Sequence, residues 1–418
     1  MSPVLGLVRK SVASSTGTVA LGTYGAYVAN GLVVVLSTLV MTPTDRGVYL
    51  SYASWIAFIA ALVSLGLGPG VAHLARERRL GRADMARLAV LALVHAAVGA
   101  GLIVLAFSTV VSRIGLIAPI VPVVLVLGLA GVMTTDWVGY AMQGVESFRA
   151  YALLRVAVPL SSLVAGAATW LFAEPTPLLM LAATSVSPWL VGLIGVFVVC
   201  RSVDASRSGG LLFAYRFGVR VGVGAFASAL SSKLDAIIVA SLLGPAQLSY
   251  YSLAMSVGSP VSAAGTAVGV RSFSGIASSE NSDSAQQQTR RATSRFLVLS
   301  GVCAAGAVVA VTLLPVVFGR EYRESQLPAL ILTAGAVGFG ANYLAASMLQ
   351  AMRRPGWASA GQIVIGLLTA GLVPLGAVVG DTSGAALGST AAYWAGASVM
   401  AALVSRAARR NSAAGGVR

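Results

Sequence analysis

"SSKLDAIIVASLLGPAQLSYY", residues 231–251, sets a lysine and an aspartate two positions apart. It then runs from Ala236 to Leu243 with no polar group larger than the hydroxyl of Ser241. The run closes an apolar stretch, 217–243, long enough to cross a bilayer as a helix, and a second such stretch, 248–271, follows directly. A segment of this kind belongs in a membrane, where Lys233 and Asp235 are costly. Each ionised side chain at mid-bilayer costs on the order of 3 kcal/mol on insertion scales.

Working outward, the rest of the chain has the same character. Of its 418 residues 57% are hydrophobic and only 10% charged, where a soluble protein is about a quarter charged. Mean hydropathy is +0.86. Twelve apolar segments predict twelve transmembrane helices, at 18–41, 47–70, 87–111, 114–140, 150–172, 177–200, 217–243, 248–271, 295–318, 326–350, 357–380 and 384–404. The first follows Arg9 and Lys10, as a signal peptide core would. It is longer than such a core and lacks a small-x-small cleavage site, so it reads as a span.

The basic residues set the orientation. With both termini cytoplasmic, twenty-three of the 28 fall at cytoplasmic ends and loops, including Arg76, Arg78, Arg79, Arg82 and Arg87 together. Four face outward (Arg46, Arg113, Arg320 and Arg323), and Lys233 alone is left within a span. The net charge of +15 is thereby explained as an inner-face bias available to anionic lipid headgroups, with no need of nucleic acid.

The chain also repeats itself. "VVVLSTLVMTPTDRGVYLSYA" (33–53) resembles "AIIVASLLGPAQLSYYSLAM" (236–255), with Thr42-Pro43 over Gly244-Pro245 and Tyr49 over Tyr251. "AMQGVESFR" (141–149) matches "MLQAMRRPG" (348–356), with Gln143 over Gln350. Two anchors at offsets of 202 and 207 predict two six-helix bundles, 1–203 and 211–405, followed by a basic cytoplasmic tail, 406–418. Six is even, so both copies enter from one side, as a parallel repeat.

These stretches, with "TPTDRGVYLSYASW", "MQGVESFRAYALLR" and "KLDAIIVASLLGPAQLSYYSLA", resemble the polysaccharide-exporting branch of the multidrug/oligosaccharidyl-lipid/polysaccharide flippase superfamily. That branch includes O-antigen-type flippases of lipid-linked oligosaccharides. Ser249 stands where the family's turn between helices 7 and 8 has glycine. The resemblance implies an all-α polytopic membrane protein, two six-helix bundles around a central cavity, and alternating access that moves a lipid-linked glycan outward across the cell membrane. Glycan-assembly enzymes would be its neighbours in the pathway.

An anionic diphosphate headgroup needs cations in that cavity. Lys233, with Arg155 just inside helix 5 and Arg220 at the mouth of helix 7, are the substrate-binding candidates. Asp235 and Asp136, the latter in "GVMTTDWVGY", are candidates for coupling to H⁺ or Na⁺ or for balancing charge; a structural ion pair accounts for either equally well. Lys233 and Asp235 lie about 200° apart around a helix, so they face different surroundings. Asn30, Gln143, Asn342, Gln350 and Gln362 suit either sugar contacts or interhelical hydrogen bonds. His73 and His95 read as structural, and Tyr24, Tyr27, Tyr49, Tyr52 and Trp55 mostly as interfacial anchors. The polar segment 278–295 reads as a loop.

Absences narrow the function further. There is no Walker A sequence, no Ser/His/Asp set, no acidic pair in a polar loop and no Cys/His cluster for a metal; Cys200 and Cys303 lack ligand spacing. An enzyme is not expected, and no cofactor beyond a coupling ion. Two alternatives to the flippase stay open: a cation-coupled multidrug exporter of the same superfamily, and a non-transporting scaffold of a glycan-assembly complex.

Overall fold

The computed structural model describes residues 15–64, 66–110, 120–203, 210–277, 282–352 and 354–415. Among them the secondary structure is helical: α1 Ser15–Val40, α2 Pro43–Val63, α3 Leu67–Arg76, α4 Arg82–Val110, α5 Val121–Gly144, α6 Phe148–Phe172, α7 Pro177–Ser202, α8 Leu211–Leu243, α9 Pro245–Ala277, α10 Ser282–Val317, α11 Gln326–Ala351 and α12 Pro355–Gly415, with a 3₁₀ turn at Arg320–Ser325.

Several starts are written into the sequence as a small polar residue or glycine before proline. Thr42 caps α2 by accepting from the Asp45 amide at 3.2 Å, and Thr176 caps α7 by accepting from that of Leu179 at 3.3 Å. Pro43 and Pro177 follow at the first helical position, where no amide hydrogen is missed. Gly244, at φ +88°, makes the turn that lets Pro245 open α9. Thr42-Pro43 and Gly244-Pro245 thus do the same work at the matched points of the repeat. The second pair of anchors also agrees locally. The Ser147 amide bonds the Met142 carbonyl at 2.8 Å, and the Arg354 amide bonds the Leu349 carbonyl at 2.8 Å.

Ten helices among the described residues are long and apolar enough to cross a membrane. One of these is α12, whose 61 residues would stretch about 90 Å if straight, three times a bilayer core. Gly380 and Asp381 leave helical geometry, and beyond them the chain folds back. A β-carbon on Gly376 would overlap the carbonyl of Gly384, one on Gly388 that of Leu372, and one on Gly396 the side chain of Ile365. With these helices the chain is a multi-pass membrane protein, and α8, Leu211–Leu243, covers the further span expected at 217–243.

Three details differ from the sequence reading. The span expected at 47–70 breaks at Ser64–Gly66, because Gly66 takes a left-handed φ of 67° and starts the short α3 in a new direction. Of the polar loop expected at 278–295, residues 278–281 lie outside the described residues, and the rest is helical from Ser282 as the polar start of α10. The connection expected between the spans at 357–380 and 384–404 is a two-residue reversal, because glycines on both arms let the backbones touch beside it. The basic tail from 406, for which the sequence reading gave no conformation, is helical to Gly415.

The chain divides into two compact units, Met1–Phe226 and Ala227–Arg418. The division falls inside α8, beyond the 204–210 segment where the sequence reading joins the bundles. In unit 1, α5 is the central helix, packed against α2, α3, α4, α6 and α7. Leu129, Met133 and Trp137 carry its buried side. In unit 2, α11 holds that place against α9, α10 and α12. Gly265 of α9 meets the backbone of Gly340 on α11, a contact any side chain would block.

Candidate functional site

Unit 1 contains a cavity of about 680 Å³. Its floor and walls are α1, the end of α2, the start of α3, α5 and α6. The break at Ser64–Gly66 makes part of this space, since a continuous helix would run through the region that Gly66, Gly68 and Pro69 border. Asp136 and Arg155, placed on α5 and α6 by the sequence, both open onto it with exposed side chains. Each lies about 10–12 Å in from its own helix end. They are not in contact: no ion pair joins them, though the Arg155 charge acts on the Asp136 carboxylate. The guanidinium instead stands 6.0 Å over the Tyr151 ring.

Asn30, Tyr140 and Gln143 complete the polar wall. Asn30 uses its amide nitrogen on the Ala26 carbonyl at 2.9 Å, which leaves its amide oxygen as an acceptor. Pro159, also in the wall, supplies no amide hydrogen. The Arg155 carbonyl, four residues earlier, therefore lacks its helical donor. The cavity thus offers several acceptors and one strong cation.

In unit 2 the two charges of residues 231–251 separate. Asp235 is completely buried. It accepts from the Tyr393 hydroxyl at 2.7 Å, from the Tyr251 hydroxyl at 3.1 Å and from the Ala236 amide at 2.7 Å. Tyr251 also bonds the Ser389 hydroxyl at 2.7 Å. This network ties α8, α9 and the second arm of α12 together, and three donors satisfy a carboxylate that would otherwise be very costly to bury. Lys233 is exposed and makes no hydrogen bond or ion pair among the described residues. It sits ten residues before the end of α8, about 15 Å deep.

The remaining candidates fall as follows. The side chain of Arg220 lies outside the described residues. His95 bridges the Leu91 carbonyl (2.8 Å) and the Tyr215 hydroxyl (2.9 Å), and His73 stacks on Phe217 with centroids 4.7 Å apart. Both serve to dock the first part of α8 onto unit 1. Tyr49 and Tyr52 are buried in the unit 1 core instead of anchoring at an interface, because α2 turns their side toward α5 and α7. Arg46, counted among the residues on the outer side of the membrane, is buried and donates its Nε to Ser37 at 3.3 Å. Asn342 is buried and donates to the Tyr393 carbonyl at 3.1 Å. The sequence reading missed Tyr140 in the cavity and the Tyr251–Ser389–Tyr393 network. The matched tyrosines of the repeat were the one available signal, and they pointed to Tyr251 alone. No group of three His, Cys, Asp or Glu suited to a metal occurs among the described residues.

Residues 35–327 match a family model described as polysaccharide biosynthesis protein. No curated protein matches the chain. Among solved structures, the lipid II flippase MurJ in an inward closed conformation superposes with a TM-score of 0.71 at 11% identity, over 94% of this chain and 89% of that one. A multidrug resistance MATE family transporter of the MOP superfamily, in its inward-facing conformation, gives 0.67 at 12% identity, over 96% and 99%. A point mutant of the Vibrio cholerae MATE transporter VcmN gives 0.64 at 14%, over 97% and 98%. At these identities the likeness is one of fold, and it extends over nearly the whole of each chain.

Proposed function

We propose that this chain, which belongs to the polysaccharide biosynthesis protein family, is a flippase. It carries a lipid-linked oligosaccharide or related polysaccharide precursor from the cytoplasmic to the outer leaflet by alternating access. One observation carries this reading: Arg155, within a helix long and apolar enough to span, opens onto the unit 1 cavity, and Lys233 on α8 is exposed, each without a carboxylate partner among the described residues. A lone charge at such depth is retained where water or an anion meets it. An anionic diphosphate headgroup answers such a cation. The fold likeness to a lipid II flippase supports the same reading.

The membrane is the cell membrane with both termini cytoplasmic, as the distribution of arginines supports. Anionic lipids gather at the basic inner face, and glycan-assembly enzymes supply the cargo. For the coupling ion, H⁺ or Na⁺, Asp136 is the carboxylate that open space reaches, while Asp235 is sealed by its three donors. Asp136 also favours a second reading, export of cationic drugs, since a carboxylate beside Tyr140 and Tyr151 suits an organic cation.

Export of surface glycan is the test, in cells lacking the protein and complemented at matched membrane abundance. Wild type restores export, while Lys233→Ala and Arg155→Ala leave lipid-linked glycan on the cytoplasmic side. If wild type alters no glycan but lowers accumulation of a lipophilic cation, the drug-export reading replaces this one.

A further inference from the structure

We infer that the unit 1 cavity is a sugar-phosphate subsite selective for an uncharged sugar next to the phosphate. Arg155 takes the phosphate and Asp136 takes a pair of neighbouring sugar hydroxyls. The inference rests on the flippase reading and specifies which headgroup chemistry that reading admits.

The argument is a donor–acceptor inventory. Arg155 supplies donors in a planar fork that matches a phosphate, and no carboxylate among the described residues pairs with it. The Asp136 carboxylate has neither a hydrogen bond nor an ion pair, although it lies within reach of the same space. Two oppositely charged side chains that share a cavity without touching leave room for a ligand that meets both. A simple anion satisfies Arg155 and is repelled by Asp136; a simple cation does the reverse. A sugar phosphate satisfies both, because an ionised carboxylate accepts from two adjacent hydroxyls while the phosphate lies against the guanidinium. Two further polar atoms point the same way. The Asn30 amide oxygen and the Arg155 carbonyl released by Pro159 are further acceptors for hydroxyl donors. A volume of about 680 Å³ accommodates a hexose and its phosphate. A uronic acid in the sugar position would set its carboxylate against Asp136.

The full-length protein in lipid nanodiscs is titrated calorimetrically with three probes: methyl phosphate, glucose 1-phosphate and glucuronic acid 1-phosphate. For wild type, glucose 1-phosphate binds at least about tenfold tighter than methyl phosphate, the lower bound set by a single hydrogen bond to a charged group, and glucuronic acid 1-phosphate loses that advantage. In Asp136→Asn the three probes converge. In Arg155→Gln all three weaken by a common factor of about ten, again the worth of one charge-assisted bond. The inference is overturned if wild type shows no saturable binding of glucose 1-phosphate, if the uronic acid binds as tightly as glucose 1-phosphate, or if Asp136→Asn leaves the ratios unchanged. Binding and export fail separately: probe selectivity without restored export removes the flippase reading alone, and export without selectivity removes the subsite alone.

Discussion

Tyr393→Phe removes one hydroxyl and little else, and the structure says what that hydroxyl is worth. It donates at 2.7 Å to a carboxylate with no exposure to solvent. A hydrogen bond to a charged group contributes about 1.5–3 kcal/mol, and the loss is not made good by water in a sealed site. Asp235 would keep only the Tyr251 hydroxyl, at 3.1 Å and shared with Ser389, and the Ala236 amide. For a unit the size of 227–418, each kcal/mol moves the midpoint of unfolding by roughly 2–4 °C, so the expected fall is about 3–12 °C. The assay is thermal unfolding in detergent followed by tryptophan fluorescence, since Trp357 and Trp394 lie in the same unit. The decisive step is a double-mutant cycle with Asp235→Asn. Against a neutral amide the same substitution costs only about 0.5–1.5 kcal/mol, leaving a coupling of about 1 kcal/mol or more. Unfolding of Tyr393→Phe at the wild-type temperature would refute the reasoning, and so would an equal loss in both backgrounds.

Other consequences are as direct. Gly265→Val forces a side chain into the Gly340 backbone and should cost about 1–3 kcal/mol, whereas Gly301→Ala, with nothing near its added carbon, should leave the unfolding temperature within error. Trp137→Phe deletes the 3.0 Å bond from the indole to Ser64 and should lower stability by about 1 kcal/mol, read in the same unfolding experiment. In a background without Cys200 and Cys303, an impermeant maleimide should label Asp381→Cys on intact cells and Arg409→Cys only after permeabilisation; the opposite pattern would invert the proposed topology. Export by Lys233→Arg should persist while Lys233→Gln falls to the level of Lys233→Ala, because the headgroup answers charge; equal export by Arg and Gln variants would show that it does not.

Much of the fold was legible because membrane helices are specified locally. A run of apolar residues, a Thr-Pro or Gly-Pro start and a bias of arginine to one side act over a few turns, and α1, α6 and α7 begin and end within three residues of where hydropathy puts them. The failures come where local rules collide. At 64–70 hydropathy continues unbroken while Gly66 changes the backbone direction, so a scale of side-chain transfer energies missed the break. At 282–295 a polar composition concealed a helix, since exposed polar residues pay little to extend one already nucleated in α10.

The chain by itself determined the number of spans, their repeat and the fact that Lys233 and Asp235 face apart, because residues two apart on any helix must. Which of the two is buried was decided only by the tertiary structure. Asp235 is held by partners 16 and 158 residues away, whereas Lys233 is left exposed. The cavity has the same origin: Asn30, Asp136 and Arg155 stand on three helices, brought to one space by the packing of α1 and α5 around α6 and by the turn at Gly66. Hydropathy is a sum over neighbours in sequence, whereas burial and pairing belong to neighbours in space, and only folding makes those known.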